Sequence, residues 1–379
     1  MGEFYTDGIT YRMPGSLTEF QQKMYVHLIN WKWKNITEAP GKHNFRGKVV
    51  ESDVMLPESV KESFPLIYPM VLDEFRAHRK PENFPCRYLM HLNNMASSKA
   101  ANVNLLLPVL LHPGVNTVLK RVKADFKSLA TDKLYKGFMI GFWGGAETDE
   151  TGASFARGKT EGLVTDGERD TAGRNGASGA GGGPGVLGDR NAGSGTYVDI
   201  AIAYYNNQDE LCLWMIEHKL TEREFAECGA FRSKGREMSK HLCEKSFSEI
   251  TADKNLCYYH DVRGFRYWEL TGKYRSFFIN HHLHESCPFR NGMNQLWRKQ
   301  LLGLALETNS EYSSVHFSVV KHPGNKSLDR TIASYKQLID HNSRFSVLDS
   351  SEIVSAGQSL NELKLNRWVE WYKGLYNIF

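Results

Sequence analysis

Three charged side chains stand in the most apolar stretch of the sequence, GTYVDIAIAYYNNQDELCLWMIEHKLTE at residues 195–222. Asp199 interrupts the first apolar run, and Glu217 and Lys219 end the second. A buried charge costs a large amount of free energy unless it is paired or binds a metal ion. These residue types therefore raise the hypothesis of a metal-assisted hydrolysis site.

The two runs predict an antiparallel hairpin with a turn centred on Gln208. This register places Asp199 opposite Glu217 and Tyr197 opposite Lys219. Because strand side chains alternate between faces, Asp199, Glu217 and Lys219 share one face. Cross-strand neighbours lie about 5 Å apart, so the three side chains should meet.

Two carboxylates at that distance repel each other unless a positive charge lies between them. Hard oxygen ligands suit Mg²⁺ or Mn²⁺. Lys219 can then reach a metal-bound water or a scissile phosphate, where the ion supplies the nucleophile and both cations stabilise developing charge. The alternative is structural: Asp199 begins a strand, and Glu217 and Lys219 form a solvated ion pair that stabilises little.

Asp199 followed by Glu217-His218-Lys219 resembles the D…(D/E)-x-K signature of the PD-(D/E)XK nuclease superfamily. The wider stretch, with CPFRNGMNQLWRKQLLGLALE at 287–307, resembles poorly characterised bacterial members. The resemblance implies an α/β restriction-endonuclease-like fold, a mixed sheet flanked by helices. It implies metal-dependent phosphodiester hydrolysis, with Asp199 and Glu217 on Mg²⁺ or Mn²⁺ and Lys219 at the water or the transition state.

Two departures from that signature concern single positions. No proline precedes Asp199, and the middle residue of E-x-K, often apolar in the superfamily, is His218. Strand alternation aims His218 at the opposite face, which predicts a packing role.

Four of the six cysteines follow the E-x-K motif: Cys228, Cys243, Cys257 and Cys287. Four thiolates can hold zinc or an iron–sulfur cluster, and some superfamily nucleases carry a four-cysteine cluster. The spacings match no compact C-x-x-C pattern, so four separate buried thiols are the alternative. The histidine-rich NHHLHESC at 280–287 offers another zinc site.

A net charge of +4, from 47 basic and 43 acidic residues, permits a polyanionic partner without requiring one. No base-reading module is recognisable, so the target sequence and the choice between DNA and RNA stay open. A solvated helix face is the alternative for the basic residues downstream of the motif. The residues predicted to contact phosphate are Arg232, Lys234, Arg236, Lys240, Arg298 and Lys299.

Periodicity predicts the elements that carry these residues. A C-terminal helix has a stripe of Leu365, Trp368, Val369, Tyr372 and Tyr376, interpreted as core packing rather than a partner-binding face. The other predicted elements are a helix over 16–35 with a Ser16/Glu19 capping box, a helix over 88–111 kinked or ended near Pro108, a strand over 136–143, a core helix over 294–309, a strand over 314–323 and a helix over 328–341.

These elements predict an N-terminal helical region (1–87), a nuclease-like core (88–345) and a C-terminal helical extension (346–379). The glycine-rich segment 145–195 is interpreted as an insertion between strands of one sheet, with 148–195 mobile, exposed and cleaved first by protease. The alternative is a linker between two domains. The longest apolar run, LLLPVLL, is too short to cross a bilayer, and the N-terminus lacks a signal pattern, which predicts a cytoplasmic protein.

The predicted function is a metal-dependent nuclease, acting on DNA, in defence or repair. One alternative is a catalytically silent nuclease-like module that binds nucleic acid or a partner protein. Another is a structural protein built on its cysteines. A homo-oligomer and a partner protein are both compatible with the sequence.

Overall fold

The structure is a computed structural model that describes residues 2–45, 47–78, 92–143, 185–188, 196–232 and 243–378. The strands are β1 (Gly2–Thr6), β2 (Ile9–Met13), β3 (Gly41–Phe45), β4 (Lys48–Ser52), β5 (Phe126–Leu129), β6 (Phe138–Ile140), β7 (Ile200–Asn206), β8 (Leu211–Lys219), β9 (Ser314–Lys321) and β10 (Phe345–Asp349). The α-helices are α1 (Glu19–Asn35), α2 (Glu58–Lys61), α3 (Leu72–His78), α4 (Ser98–Leu110), α5 (Val115–Val122), α6 (Gly229–Arg232), α7 (Phe247–Ala252), α8 (Tyr258–Asp261), α9 (Tyr267–Lys273), α10 (Met293–Asn309), α11 (Asp329–Leu338), α12 (Ser350–Gln358) and α13 (Leu363–Tyr376). Short 3₁₀ helices span Pro69–Val71, Lys254–Leu256 and Arg275–Leu283.

Six of the described strands form one mixed sheet in the order β10-β9-β8-β7-β5, with β6 also paired to β7. Strands β8, β9 and β10 run parallel, whereas β7 pairs antiparallel with β8, β5 and β6. In the hairpin of β7 and β8, Ile200 faces Ile216, which is the predicted register. The prediction of a mixed sheet flanked by helices is therefore confirmed.

Helices cover both faces of the sheet because its central strands are apolar on both sides. In β8, Trp214 and Ile216 join one core, with side chains of α1, α4 and α13. Leu213 and Met215 join the other core, with side chains of α10 and α11. Strand alternation thus assigns each residue of β8 to a defined layer.

Helix α1 begins two residues later than the predicted capping box requires. Thr18, not Ser16, is the N-cap: its Oγ1 accepts from the Gln21 backbone N at 3.3 Å, and Gln21 Oε1 accepts from the Thr18 backbone N at 3.0 Å. The sequence matches the capping-box pattern at both positions, and the structure uses the later one, with Gln21 at N3.

Helix α4 begins at Ser98 with Ser97 as its N-cap, so the predicted helix does not include 92–97, and its predicted first residues, 88–91, lie outside the described residues. Pro108 lies inside its last turn and has no N–H for the Asn104 carbonyl. Trp368 Nε1 donates to that carbonyl at 2.7 Å, which explains why the helix continues to Leu110. Within the described ranges, neither α4 nor any other helix combines the length and apolar character needed to cross a bilayer.

The terminal regions are less purely helical than predicted. The N-terminal part contains two antiparallel hairpins, β1–β2 and β3–β4, besides its helices. The predicted boundary at residue 346 falls inside β10, an edge strand of the central sheet. The C-terminal stripe on α13 is buried, so its interpretation as core packing is confirmed. Alternation alone did not reveal that the terminal regions share a core with the sheet.

The strands on either side of the glycine-rich segment, β6 and β7, pair with each other in one sheet. Most of 145–195 lies outside the described residues, and so does the predicted mobility of that part. Residues 185–188 are described, and there Leu187 is 1% exposed and its carbonyl accepts from the Arg266 backbone N at 2.8 Å. The prediction of exposure is wrong at this point because Leu187 joins the core on the α10 face.

Leu187→Ala should lower the free energy of unfolding by about 2–5 kcal/mol, since it removes a fully buried leucine and leaves a cavity. Chemical denaturation measures this change. Leu283→Ala is the matched control, because Leu283 is 54% exposed and its loss should change stability by less than about 0.5 kcal/mol. Equal stabilities of the two variants would show that Leu187 does not anchor its segment.

Candidate active site

Strand β8 and the residue before β7 bring the three predicted side chains together. Asp199, Glu217 and Lys219 are 3%, 4% and 7% exposed, and Lys219 Nζ lies 3.2 Å from Glu217 Oε1. By strand alternation they lie on the face of the sheet that packs against α10. The alternative of a solvated surface pair is therefore wrong, because these charges are buried.

Asp199 is held by backbone groups on both sides. Its Oδ2 accepts from the His218 backbone N at 2.8 Å, and its own carbonyl accepts from the Gly141 backbone N at 2.8 Å. Burial raises the pKa of Asp199 to about 7, and the nearby Glu217 carboxylate contributes in the same direction. Protonated and ionised forms of Asp199 therefore coexist near neutral pH.

Helix α10 supplies two partners of Glu217 that stand four residues apart and so face the same way. Gln295 Nε2 donates to Glu217 Oε1 at 2.9 Å, and Lys299 Nζ pairs with Glu217 Oε2. Burial by itself would raise the pKa of Glu217, but the positive charges of Lys299 and Lys219 prevail and lower it. Glu217 is thus ionised at neutral pH.

The pKa values of Lys219 and Lys299 shift in opposite directions in the same surroundings. Burial opposes the charge of Lys219, yet Glu217, Glu222 and Asp199 together raise its pKa. Burial lowers the pKa of Lys299, against the attraction of the carboxylates, and repulsion from Lys219 adds to the lowering. Two carboxylates and two amines therefore form one buried group whose formal charges balance.

His218, the middle residue of the motif, is fully buried. Its position in β8 aims it at the face shared with Ile216, away from the carboxylates. Burial lowers its pKa to about 3, and the nearby His322 adds to the effect, so the ring is neutral. These observations support the predicted packing role.

The basic residues that were predicted to contact phosphate have different outcomes in the structure. Lys234, Arg236 and Lys240 lie outside the described residues, and Arg232 is placed in α6 without a described side chain. Lys299 is 5% exposed and faces Glu217, so its interpretation as a surface phosphate contact is wrong.

Arg298 is half-buried beside the site. Its Nε donates to Thr196 Oγ1 at 3.1 Å, and its guanidinium lies 5.3 Å from the centre of the Tyr267 ring. The first contact ties α10 to the segment that leads into Asp199, and the second ties α10 to α9. Arg298 therefore positions this segment in the structure.

The carboxylates suit a hard divalent cation in donor type, because both offer oxygen atoms on neighbouring strands. In the described ranges no three His, Cys, Asp or Glu side chains are grouped to hold a metal ion by themselves. Mg²⁺ commonly binds one or two carboxylates and keeps several waters, so two carboxylates suffice in number. One oxygen of Glu217 is paired with Lys299, and the cation would compete for it.

Sequence reasoning did not place Gln295 and Lys299 at the carboxylates. The signal was present as NQLWRK in an otherwise apolar helix, where the i, i+4 spacing puts both polar side chains on one face. That spacing does not state which strand the face meets. Only the packing of α10 on β8 and β9 identifies Glu217 as their partner.

The four downstream cysteines also meet in space. Cys228, Cys243, Cys257 and Cys287 line one pocket beside α10, together with Trp268, Phe289 and Trp297. The sequence left open whether these thiols meet, and the structure brings them to one pocket, whereas metal binding stays a prediction. The fifth described cysteine, Cys212, lies apart on β8.

One family model matches residues 31–377 of the chain, and its description reads Restriction Endonuclease associating with ARP. Neither a curated protein nor a solved structure matches. The match covers the whole six-stranded sheet and the helices from α2 to α13, but only the end of α1.

Proposed function

We propose a nuclease function on one premise: the chain belongs to the family described as Restriction Endonuclease associating with ARP. Membership supports a nuclease-like module of the restriction-endonuclease type. The finer proposal is a metal-dependent nuclease of the PD-(D/E)XK type, with the restriction-endonuclease-like fold, that hydrolyses phosphodiester bonds in DNA.

The observation that carries this proposal is the buried group of two carboxylates and two lysines at the end of β8. Asp199 and Glu217 would hold Mg²⁺ or Mn²⁺. When bound, the ion supplies a Lewis acid and a water of lowered pKa. Lys219 remains charged beside them and can orient that water or stabilise negative charge on the phosphate.

Helix α10 completes the arrangement through positioning. Gln295 donates to Glu217 Oε1 and its own Oε1 accepts from the Ala226 backbone N at 3.3 Å, so it joins the helix to the chain that follows β8. Lys299 holds the other oxygen of Glu217. A cation that binds Glu217 must share or displace this contact, and the required metal concentration should reflect that competition.

The test is cleavage of linear and circular DNA by the purified full-length chain with Mg²⁺ or Mn²⁺, with excess chelator as the control. We expect cleavage that requires the metal and stops with the chelator. Supplying single-stranded DNA and RNA in parallel identifies the substrate class. Metal-independent cleavage, or binding without any cleavage, would contradict the proposal.

A second function is supported by the internal pairing of the site. Lys219 and Lys299 both pair with Glu217, and Asp199 accepts from the His218 backbone N, so the group is self-sufficient as a buried polar network without a metal ion. A catalytically silent module that binds nucleic acid or a protein would look the same. In that case Mg²⁺ would neither bind at the carboxylates nor change DNA affinity beyond its screening effect.

The family description also bears on partners. It names an association with ARP, and we extend this to the proposal that the chain works together with a partner protein. Co-purification of tagged chain with the products of neighbouring genes would test this. The cytoplasmic location and the role in defence or repair stay predictions.

A further inference from the structure

Four cysteines from four separate segments surround one pocket on the α10 side of the sheet. Cys228 directly precedes α6, Cys257 directly precedes α8, Cys287 precedes α10, and Cys243 precedes α7. All four line one narrow pocket. Chain segments that are far apart in sequence thus deliver all their thiols to one place.

The walls of this pocket are mainly apolar and rigid. Phe289 stacks on Trp297 with ring centres 4.2 Å apart, and Trp268 packs against both. Asn294 also lines the pocket and is buried, and its Nδ2 has no hydrogen-bond partner among the described residues. A buried donor without an acceptor is costly, and an electron-rich group in the pocket would satisfy it.

Backbone N–H groups near three of the four thiols lower the thiol pKa against the effect of burial. They belong to Ala230 and Phe231 at Cys228, to Tyr259 and His260 at Cys257, and to Phe289 at Cys287. Each donor lies two or three residues after its cysteine, so the chain turns around the sulfur. Such hydrogen bonds favour the thiolate form and tune metal–sulfur centres.

The thiols by themselves lie in an unfavourable place for ionisation. Burial raises the pKa of Cys228 to about 12 and of Cys243 to about 11, and neighbouring cysteines contribute to both shifts. Burial likewise raises the pKa of Cys257 and Cys287. The ground for a shared site is geometric, because all four cysteines converge on one pocket.

We propose that Cys228, Cys243, Cys257 and Cys287 are the four thiolate ligands of a metal centre in this pocket. Four-thiolate coordination is common to zinc and to iron–sulfur clusters. On binding, the four thiols release their protons to solvent.

The two centres make different demands on the four thiols. A single zinc ion draws four sulfurs to about 2.3 Å from one point, and no such grouping occurs among the described side chains. If zinc occupies the pocket, the segments that carry the cysteines must therefore close in around it, and metal analysis distinguishes zinc from an iron–sulfur cluster.

The position of the centre links it to the candidate active site. Asn294 and Trp297 line the pocket, and Gln295 and Lys299 on the same helix contact Glu217. A metal centre would therefore fix the first half of α10, which positions both partners of Glu217. It would also join the segment of 228–287 to the sheet.

The test is metal analysis of the full-length chain purified without oxygen and without a metal-affinity tag. We expect about four iron atoms and four acid-labile sulfides per chain with a brown visible absorption, or about one zinc per chain without colour. Either composition supports the four-thiolate centre and identifies it. Substoichiometric metal in repeated preparations, including after anaerobic reconstitution with iron and sulfide or with zinc, would overturn the proposal.

Cys228→Ser and Cys287→Ser should each lose most of the metal, whereas Cys212→Ser should retain it, because Cys212 is a buried cysteine outside the pocket. If the variants fail to fold, thiol labelling of the wild-type chain decides. The four pocket thiols should be protected until the metal is removed, and labelling at equal rates with and without metal would reject the site. Metal content is measured without cleavage, so its outcome is independent of the proposed nuclease function.

Discussion

Asp199→Asn should abolish metal-dependent cleavage while leaving the free energy of unfolding nearly unchanged. The substitution keeps the shape of the side chain and an oxygen that can accept from the His218 backbone N. Burial already disfavours the charged form of Asp199, so a neutral amide fits the site without metal. Cleavage assays over a Mg²⁺ series, together with chemical denaturation, measure both quantities.

Glu217→Gln tests two roles of the buried carboxylate, one in cleavage and one in the stability of the fold. It should also abolish cleavage, but it leaves Lys219 and Lys299 without their shared carboxylate. Removing one partner of a buried pair costs about 3–5 kcal/mol, so this variant should be clearly less stable than Asp199→Asn. If either folded variant cleaves DNA as well as the wild type, the assignment of Asp199 and Glu217 as metal ligands is wrong. That result would favour the catalytically silent nuclease-like module.

Lys219→Met should lower the rate of single-turnover cleavage by about 10²–10³-fold with little change in DNA affinity, because the charge acts in the transition state. The methionine keeps most of the apolar stem. If Lys219 instead contributes one phosphate contact to binding, its loss should weaken affinity modestly and reduce the salt dependence by about one counterion. Measuring affinity over a salt series beside the cleavage rate distinguishes these outcomes.

Lys299→Met is the matched comparison, since Lys299 binds the same carboxylate from α10. Its removal frees one oxygen of Glu217 and should lower the Mg²⁺ concentration needed for half-maximal cleavage. Lys326→Met, at an exposed lysine, should change neither rate nor metal requirement. A catalytic lysine at 219 is rejected if Lys219→Met cleaves at the wild-type rate and only its affinity falls.

Local sequence patterns predicted the hairpin of β7 and β8 because its information is contained within the hairpin itself. The turn length sets the register, and alternation then puts Asp199, Glu217 and Lys219 on one face. The helix α10 and the strand β9 were predictable from their long apolar runs, and both are buried along most of their length. The core position of the α13 stripe likewise followed from its spacing.

Local sequence patterns were less reliable where the same residues fit two different local structures. Two possible capping boxes, Ser16/Glu19 and Thr18/Gln21, overlap before α1, and the local pattern does not choose between them. The structure uses Thr18 as the N-cap. Pro108 looked like a break, yet Trp368, far away in the sequence, supplies the hydrogen bond that the proline cannot. Leu187 looked like part of a polar segment and is nevertheless a core residue.

The sequence by itself determined the chemistry available to this protein: two carboxylates and a lysine on one face, a basic and polar helix pair at Gln295 and Lys299, and four thiols downstream. The tertiary structure determined which of these residues are in contact. The face of α10 that carries Gln295 and Lys299 contacts Glu217. Four separate segments bring Cys228, Cys243, Cys257 and Cys287 to one pocket. The physical reason is range: periodicity and turn geometry act over a few residues, whereas contacts between distant segments depend on how complete layers pack.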